Sequence, residues 1–333
     1  MSNTPLLRLE NVSTRFAIPQ GILDAVRKKP KQYLTAVDQV TLDVESGDTL
    51  GLVGESGCGK STLAKTVIGL YQPTSGRILF QGEDLAAMTR QQRRARSGDI
   101  QMVFQDPYSS LNPRMTVRQV LQEELRVHDM CPPEEMDRRI VELLEMVGLT
   151  EQQADRLPSA FSGGQRQRIG IARALALNPK IIIADEPVSA LDVSIQAQVI
   201  NLLIELQQKL GLTVLFISHD LQVVRYISNR VAVMYLGRTM ELGETDPLFA
   251  HPLHPYTDIL LKAAPRMTAE ARQKKTAAIH GDLPSPIHLP TGCRFHPRCP
   301  YATDLCRQTE PELREVCPGR FCACHHPLEG GGV

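Results

Sequence analysis

Near the start of the chain the sequence reads Gly54-Glu55-Ser56-Gly57-Cys58-Gly59-Lys60-Ser61-Thr62. The stretch matches the pattern GxxxxGK-S/T, and it lies between an apolar run, Thr49 to Val53, and a helical pattern, Ser61 to Leu70. Glycines at these positions let main-chain N–H groups converge on phosphates, while Lys60 adds a positive charge and Ser61 offers a hydroxyl to Mg²⁺. A strand, a glycine-rich loop and a helix in this order predict a nucleotide-binding α/β domain.

A second apolar run, Ile181 to Ala184, is followed by two carboxylates, Asp185 and Glu186. At the end of a strand, one carboxylate can hold Mg²⁺ through water and the other can polarise an attacking water. We expect Asp185 to take the first role and Glu186 the second. The alternative for Glu186 is an ordinary acidic residue at a helix N-terminus.

A third motif, Phe161-Ser162-Gly163-Gly164-Gln165-Arg166-Gln167-Arg168, precedes a helical run from Ile169 to Ala176. It resembles the signature of the ABC ATPase superfamily. A Ser-Gly-Gly turn that opens a helix makes a second helix terminus suited to phosphate. The resemblance implies that two such domains face each other, so that Ser162, Gly163, Gly164 and Gln165 would close on ATP held by the partner's phosphate loop.

The same resemblance implies roles for four further residues, which follow the superfamily pattern. They are Gln105, which would contact Mg²⁺ and sense a permease groove; Asp192, in a loop at the dimer interface; His219, at the γ-phosphate; and Phe16, stacked on adenine. A single aromatic residue near a strand end also suits a core position, so for Phe16 both interpretations stay open.

The succession of patterns predicts a P-loop ABC ATPase domain of the α/β class over residues 1–264. Its core is expected to be a mostly parallel sheet with an antiparallel β part. Between about residues 106 and 160 the strand signal gives way to helical stretches, Val117 to Arg126 and Glu134 to Val147, bounded by prolines. This region is predicted to be an inserted helical subdomain, and residues 265–333 a separate, loop-rich, Cys-rich C-terminal module.

Three stretches resemble the oligopeptide and dipeptide importer subfamily. They are Phe104 to Met115, His254-Pro255-Tyr256-Thr257, and the tail from Leu283 to Pro300. The resemblance implies an ATP-hydrolysing subunit that powers peptide import, placed peripherally on the cytoplasmic face of the cell membrane. Its expected partners are two permease subunits, a substrate-binding protein and a related ATPase, with a heterodimer favoured over a homodimer.

Two other functions stay open at this point. Importers of nickel, glutathione or other small solutes have closely similar ATPases, and the transported molecule never touches this subunit. A soluble ABC ATPase of DNA repair or translation would share the catalytic motifs. Such proteins insert long coiled coils or zinc modules, or carry two ATPase units per chain, and this sequence shows neither pattern.

Six of the eight cysteines fall between Cys293 and Cys324, which favours a metal site over disulfides. Four of them, Cys293, Cys299, Cys306 and Cys324, are separated by five, six and seventeen residues. This spacing resembles the iron–sulfur tail of peptide-importer ATPases and implies a [4Fe-4S] cluster, with Zn²⁺ or free thiols as alternatives. Cys317 and Cys322 do not fit the pattern, so the fourth ligand stays open.

Charge and hydropathy exclude two classes of protein. With 37 basic and 37 acidic residues the formal net charge is zero, so nothing predicts a nucleic-acid partner. No run approaches the roughly 20 apolar residues that span a bilayer, and the N-terminus lacks a signal-peptide pattern.

Overall fold

The computed structural model describes residues 4–20, 31–106, 110–263 and 284–329. The chain divides into two compact units. The first unit comprises Met1–Leu6, Val44–Thr49 and Ala87–Ser218, and the second comprises Leu7–Asp43, Leu50–Ala86 and His219–Val333.

In chain order the strands are β1 (Leu7–Ala17), β2 (Tyr33–Val44), β3 (Thr49–Val53), β4 (Ser75–Phe80), β5 (Glu83–Asp84), β6 (Ile100–Val103), β7 (Ile181–Asp185), β8 (Thr213–Ile217), β9 (Arg230–Tyr235), β10 (Arg238–Glu244), β11 (Arg314–Cys317) and β12 (Arg320–Cys322). The α-helices are α1 (Lys60–Val67), α2 (Arg90–Arg96), α3 (Val117–Val127), α4 (Met136–Met146), α5 (Gly163–Leu175), α6 (Val193–Leu210), α7 (Leu221–Ile227), α8 (Thr245–Ala250), α9 (Pro255–Ala263) and α10 (Asp304–Gln308). No helix within the described ranges is both long enough and apolar enough to cross a bilayer.

The first unit is built on three parallel strands in the order β6, β7, β8. Every residue of β7 and β8 is buried, and both strands are almost wholly apolar, as expected for strands covered on both faces. The sequence predicts β7 from the apolar run Ile181 to Ala184, and the structure confirms it. Because β7 ends at Asp185, the acidic pair lies where this strand meets the following loop.

Helices α3, α4 and α5 pack against one another in the same unit. Helix α3 begins at a capping box, in which Thr116 and Gln119 satisfy each other's backbone N–H groups. Helix α4 follows a single 3₁₀ turn at Pro133–Glu135, so the prolines separate the two helices as the sequence indicates. The helical stretches predicted here are therefore confirmed.

The second unit contains two arrays of strands. The first has the order β2, β1, β4, β5, with antiparallel pairing of β1 with β4. In the other array, β3 runs parallel to β9, and the following strands add in antiparallel fashion in the order β10, β12, β11. The antiparallel part expected from the sequence is therefore present.

The described part of the C-terminal tail differs from the separate module that the sequence indicates. Strand β12 pairs with β10, Cys322 lying opposite Glu241, and the tail clusters with the rest of the second unit. Phe295 is fully buried, with its ring 5.3 Å from that of Tyr235 and 5.2 Å from that of Tyr256. A tail with few large apolar residues gains its core by joining an existing one. The boundary at residue 264 stays a prediction, because residues 264–283 lie outside the described ranges.

Candidate functional site

The glycine-rich loop joins β3 to α1 in the second unit, as its sequence predicts. Gly54, Gly57 and Gly59 all have positive φ, at 153°, 78° and 108°. A Cβ atom would lie 2.2 Å from the carbonyl oxygen of Met234 at Gly54, and 2.1 Å from that of Ala36 at Gly59. The loop backbone can therefore follow this path only with glycine at these two positions.

Lys60 is the first residue of α1 and is 5% exposed. Its ammonium group donates hydrogen bonds to the carbonyl oxygens of Gly54, at 2.8 Å, and Glu55, at 3.1 Å. The helix has no side-chain cap at Gly59 and no acidic residue in its first turn. The first-turn N–H groups and the lysine together make this helix start favourable for an anion.

The other predicted loop residues differ in exposure. Ser56 is exposed, Ser61 and Thr62 are half-buried in the first turn of α1, and Cys58 is buried. Burial raises the pKa of the Cys58 thiol, although Lys60 lies close enough to oppose the shift. A buried thiol with a raised pKa is a poor nucleophile, so Cys58 fills space in the loop.

The structure brings Glu186 and Gln105 together in the first unit. The Gln105 side-chain amide donates to the Glu186 carboxylate at 3.0 Å. Glu186 has φ 46°, a left-handed conformation that is costly for a residue with a Cβ atom. Its N–H donates to the Ile217 carbonyl at 2.9 Å, and its own carbonyl accepts from the Ser189 hydroxyl at 3.1 Å and from the Ser189 N–H at 3.3 Å. Next to it, Asp185 is 4% exposed.

The predicted signature turn also lies in the first unit, and α5 begins directly after Ser162. Ser162 and Gln165 form a capping box: the Ser162 hydroxyl accepts from the Gln165 N–H at 3.3 Å, and the Gln165 side chain accepts from the Ser162 N–H at 3.1 Å. The helical pattern from Ile169 therefore extends back to Gly163.

Close packing explains one of the two signature glycines. A Cβ atom at Gly164 would lie 2.2 Å from a methyl carbon of Ile195, so glycine lets α5 approach the first turn of α6. Asp192 precedes α6, and its exposed side chain makes no hydrogen bond to the start of the helix.

Two further residues predicted from the sequence, His219 and Phe16, lie in the second unit. His219 is exposed, and Asp220 after it caps α7 by accepting from the N–H groups of Gln222 and Val223. Phe16 is half-buried and packs edge-on against Tyr71, with 5.0 Å between ring centroids. Adenine stacking by Phe16 stays a prediction.

Two residues near the phosphate loop were not predicted from the sequence as site residues. The Tyr256 hydroxyl accepts from the Glu55 N–H at 3.0 Å, and Arg298 donates to the Glu55 carboxylate at 2.9 Å. Tyr256 belongs to the His254-Pro255-Tyr256 motif, so the sequence contained a signal that could have identified it as a site residue. Arg298 stands beside Cys299, and no pattern in the sequence connects it to residue 55.

The four cysteines singled out by spacing line one pocket of the second unit. Its lining residues are His254, Pro255, Cys293, Phe295, His296, Cys299, Tyr301, Cys306, Cys324, His325 and His326. Burial raises the pKa of Cys293 to about 12 and that of Cys324 to about 11, and the neighbouring thiols add to both shifts. All four predicted cysteines therefore lie around the same pocket.

Cys317 and Cys322 are not among the residues that line this pocket. Cys322 is fully buried against Leu253 and Cys324, and Cys317 packs beside them. All eight cysteines carry free thiols. In the described part of the chain, no group of three or more His, Cys, Asp or Glu residues is arranged to hold a metal ion.

Comparison with known proteins places the chain in a family. Residues 37–189 match the family model described as ABC transporter, and residues 240–306 match the model described as Oligopeptide/dipeptide transporter, C-terminal region. The oligopeptide transport ATP-binding protein AppF of Bacillus subtilis is 51% identical, covering 96% of this chain and 97% of its own. The probable peptide ABC transporter ATP-binding protein y4tS of Sinorhizobium fredii is 50% identical, covering 96% and 89%.

Solved structures give the same answer for the fold. The dimeric ATP-binding cassette MJ0796, in a post-hydrolysis state bound to ADP and Pi, is 30% identical with a TM-score of 0.62, covering 72% of this chain and 98% of its own. The cbiO1 protein of Clostridium perfringens is 28% identical with a TM-score of 0.63, covering 74% and 91%. The chain therefore belongs to the ABC transporter family of ATP-binding proteins, in the branch with the oligopeptide/dipeptide transporter C-terminal region.

Proposed function

We propose that the chain is the ATP-hydrolysing subunit that powers the import of di- or oligopeptides through a pair of membrane permeases. The observation that carries this proposal is the joint presence of the ABC phosphate loop and the oligopeptide/dipeptide C-terminal region in one chain. Relatives that match almost the whole chain are named as oligopeptide or peptide transport ATP-binding proteins. Neither AppF nor y4tS is named for DNA repair or translation.

At the nucleotide, the phosphate loop supplies convergent N–H groups, and Lys60 supplies a positive charge. Each unit offers an oxygen donor of the kind that Mg²⁺ prefers: the Asp185 carboxylate in the first unit and the Ser61 hydroxyl in the second. When bound, Mg²⁺ neutralises charge on the phosphates. We assign contact with the γ-phosphate to His219 and stacking on adenine to Phe16.

Hydrolysis needs a water in line with the γ-phosphorus, and we assign its orientation to Glu186 and Gln105. The amide of Gln105 already donates to the Glu186 carboxylate, which fixes the orientation of that carboxylate. The strained backbone at Glu186 fixes the position of its side chain. The water's oxygen bonds to phosphorus as the bond to ADP breaks, and Glu186 accepts the water's proton.

We further propose that Ser162, Gly163, Gly164 and Gln165 close on ATP held by a second ABC subunit, with Asp192 at the same interface. A related but distinct ATPase is favoured as that partner over a second copy of this chain. The other partners are two permeases and, through them, a substrate-binding protein. This places the chain peripherally on the cytoplasmic face of the membrane.

The test is ATP-driven uptake of labelled peptide by the complete complex in proteoliposomes, with Glu186→Gln as the variant. We expect uptake with the wild-type chain and none with Glu186→Gln, which should still bind ATP. Glu205→Gln is the control, because Glu205 is an exposed acid on α6 whose partner is Lys209. Uptake of nickel or glutathione without peptide uptake would reassign the substrate, and recovery of the chain with DNA or ribosomes would contradict the importer role.

The cysteine pocket supports a second proposal, that Cys293, Cys299, Cys306 and Cys324 hold a [4Fe-4S] cluster. Four thiols line one pocket and match the donor type of such a cluster, although in the described residues they are not arranged as a metal site. Burial, with a smaller contribution from the neighbouring thiols, raises the pKa of Cys293 and Cys324, and bound iron would stabilise the thiolate forms that ligate it. A cluster would bind the loops of the tail together, as metals do in small modules.

Anaerobic purification tests this proposal. We expect a brown protein with iron and acid-labile sulfide, and loss of both in Cys306→Ser. The matched control is Cys322→Ser, because Cys322 is buried outside the pocket. Stoichiometric zinc without iron would contradict the cluster and support the zinc alternative.

A further inference from the structure

Glu55, the second residue of the phosphate loop, is held by three groups at once. Its carbonyl accepts from Lys60, its N–H donates to the Tyr256 hydroxyl, and its carboxylate accepts from Arg298. The Arg298 contact is an ion pair of 2.9 Å, in which the arginine side chain is 5% exposed and the glutamate side chain 20% exposed. Two of the three holding groups come from the C-terminal part of the chain.

Arg298 is itself fixed in place. It donates to the Tyr235 hydroxyl at 3.2 Å, and its guanidinium carbon lies 5.7 Å from the centre of the Tyr235 ring. Burial lowers the pKa of Arg298, but its hydrogen bonds to Glu55 and Tyr235 outweigh this and raise the pKa overall. The guanidinium therefore stays charged, and its position is set by the same aromatic core that holds Tyr256.

The segment that carries Arg298 has a second anchor four residues earlier. Arg294 is buried and pairs with buried Asp38, and it also donates to the Leu236 carbonyl. Burial raises the pKa of Asp38, but Arg294 and Arg238 outweigh it and hold the pKa below its usual range. Because Arg294 and Arg298 are both anchored, this segment holds the Arg298 guanidinium beside Glu55.

This arrangement has two consequences for an anion bound at the loop. The bond to Arg298 limits rotation of the Glu55 peptide, whose carbonyl is one of the two that hold the Lys60 ammonium group. The positive guanidinium also neutralises a partly buried carboxylate within the loop, where an unpaired negative charge would repel phosphate. Both effects favour nucleotide binding.

We propose that Arg298 is a positioning residue for nucleotide binding: by pairing with Glu55 it orients the phosphate loop and cancels the loop's own negative charge. The affinity for ATP therefore depends on the C-terminal extension, which is distant in the sequence from every nucleotide motif. This inference rests on the proposed function, since it takes the phosphate loop to be the ATP site.

The test is the dissociation constant for MgATP of the full-length chain, measured by isothermal titration calorimetry for four variants. We expect Arg298→Gln to weaken binding at least about tenfold, because it leaves the Glu55 carboxylate unpaired. Arg298→Lys, which keeps the charge, should remain within about threefold of wild type. Glu55→Gln should weaken binding less than Arg298→Gln, because it loses the orienting ion pair without leaving a negative charge in the loop, and the double variant Arg298→Gln/Glu55→Gln should recover part of the affinity that Arg298→Gln loses.

Arg320→Gln is the matched control. Arg320 joins the extension to buried Glu241 at 3.0 Å and also donates to the His251 carbonyl, so its loss should lower stability and leave MgATP affinity unchanged. An affinity of Arg298→Gln within twofold of wild type would overturn the proposal, as would equal weakening by Arg298→Gln and Arg320→Gln. Failure of the wild-type chain to bind MgATP would instead contradict the proposed function itself.

Discussion

The two glycine-rich helix N-termini of this molecule differ in whether a side chain caps their backbone N–H groups. Helix α1 begins after Gly59, which is left-handed and gives no side-chain cap. Helix α5 begins after Ser162, where a capping box with Gln165 satisfies one N–H group at each of the two residues. The two motifs look alike in sequence, but only the first leaves its helix start open to an anion without displacing a side chain.

The glycines of the two motifs also serve different purposes. Gly59 allows the loop to pass close to the Ala36 carbonyl, whereas Gly164 allows α5 to pack against Ile195. A glycine in a phosphate-binding motif can therefore be required by packing alone. We therefore expect the single chain to bind nucleotide at α1, and the α5 turn to contribute only in an assembled pair.

A large effect on nucleotide affinity is expected from Gly59→Ala. Its Cβ atom would lie 2.1 Å from a backbone oxygen at φ 108°, so the loop must move. We expect MgATP affinity to fall at least about tenfold, which corresponds to about 1.4 kcal/mol. Gly163→Ala is the comparison, because its Cβ atom would meet only a flexible methyl of Leu191 at 3.1 Å. Equal affinities of the two variants would break the distinction between the two helix starts.

Helix α9 has a titratable residue, His254, at its N-terminus. The Nδ1 atom of His254 accepts from the Tyr256 N–H at 3.0 Å at the start of α9, and burial lowers the pKa of His254 to about 3. Because the folded-state pKa lies below the unfolded value, the neutral imidazole stabilises the fold above about pH 6.5, and this stability is lost as pH falls towards 3. From pH 7.5 to pH 5 we expect a loss of about 2 kcal/mol in the free energy of unfolding from this residue.

His254→Asn isolates that contribution, since an asparagine oxygen can cap the helix and does not titrate. Urea unfolding at both pH values is the measurement. The pH dependence of the variant should be shallower than that of wild type by about 2 kcal/mol over this range. Parallel curves for the two proteins would show that His254 is not held neutral by the fold.

The smallest effect is expected from Gln165→Ala, which removes one half of the capping box at α5. The free energy of unfolding should fall by about 0.5–1 kcal/mol. Gln119→Ala is matched, because Gln119 completes the same kind of box at α3. Both variants should lose similar stability, but only Gln165→Ala should slow ATP turnover by the complete complex. Equal turnover of the two variants would show that Gln165 is not part of the nucleotide site.

The features that the sequence predicts well are local ones. Strand β3 has the predicted bounds, and the phosphate loop lies between β3 and α1 as its spacing requires. What could not be predicted are contacts between distant residues. Glu55 and Arg298 are 243 positions apart and Asp38 and Arg294 are 256 apart, and no periodicity links residues at such separations.

The cysteines of the tail show the same limit of prediction from sequence. Cysteine spacing identified the four thiols that share a pocket, because the resemblance carried that information. It left the fourth ligand open between neighbours in the sequence, and the structure places Cys324 in the pocket lining and Cys322 outside it. Which side of a short strand end faces a pocket depends on how β12 pairs with β10, which spacing does not encode.

The most direct test of the central claim compares MgATP binding by two variants of the single chain, Lys60→Ala and Ser162→Ala, in equilibrium dialysis. If α1 is the helix start that binds nucleotide in one chain, Lys60→Ala should weaken binding at least about 100-fold, or about 2.7 kcal/mol. Ser162→Ala should bind within about twofold of wild type. Wild-type affinity in Lys60→Ala, or an equal loss in Ser162→Ala, would contradict the account.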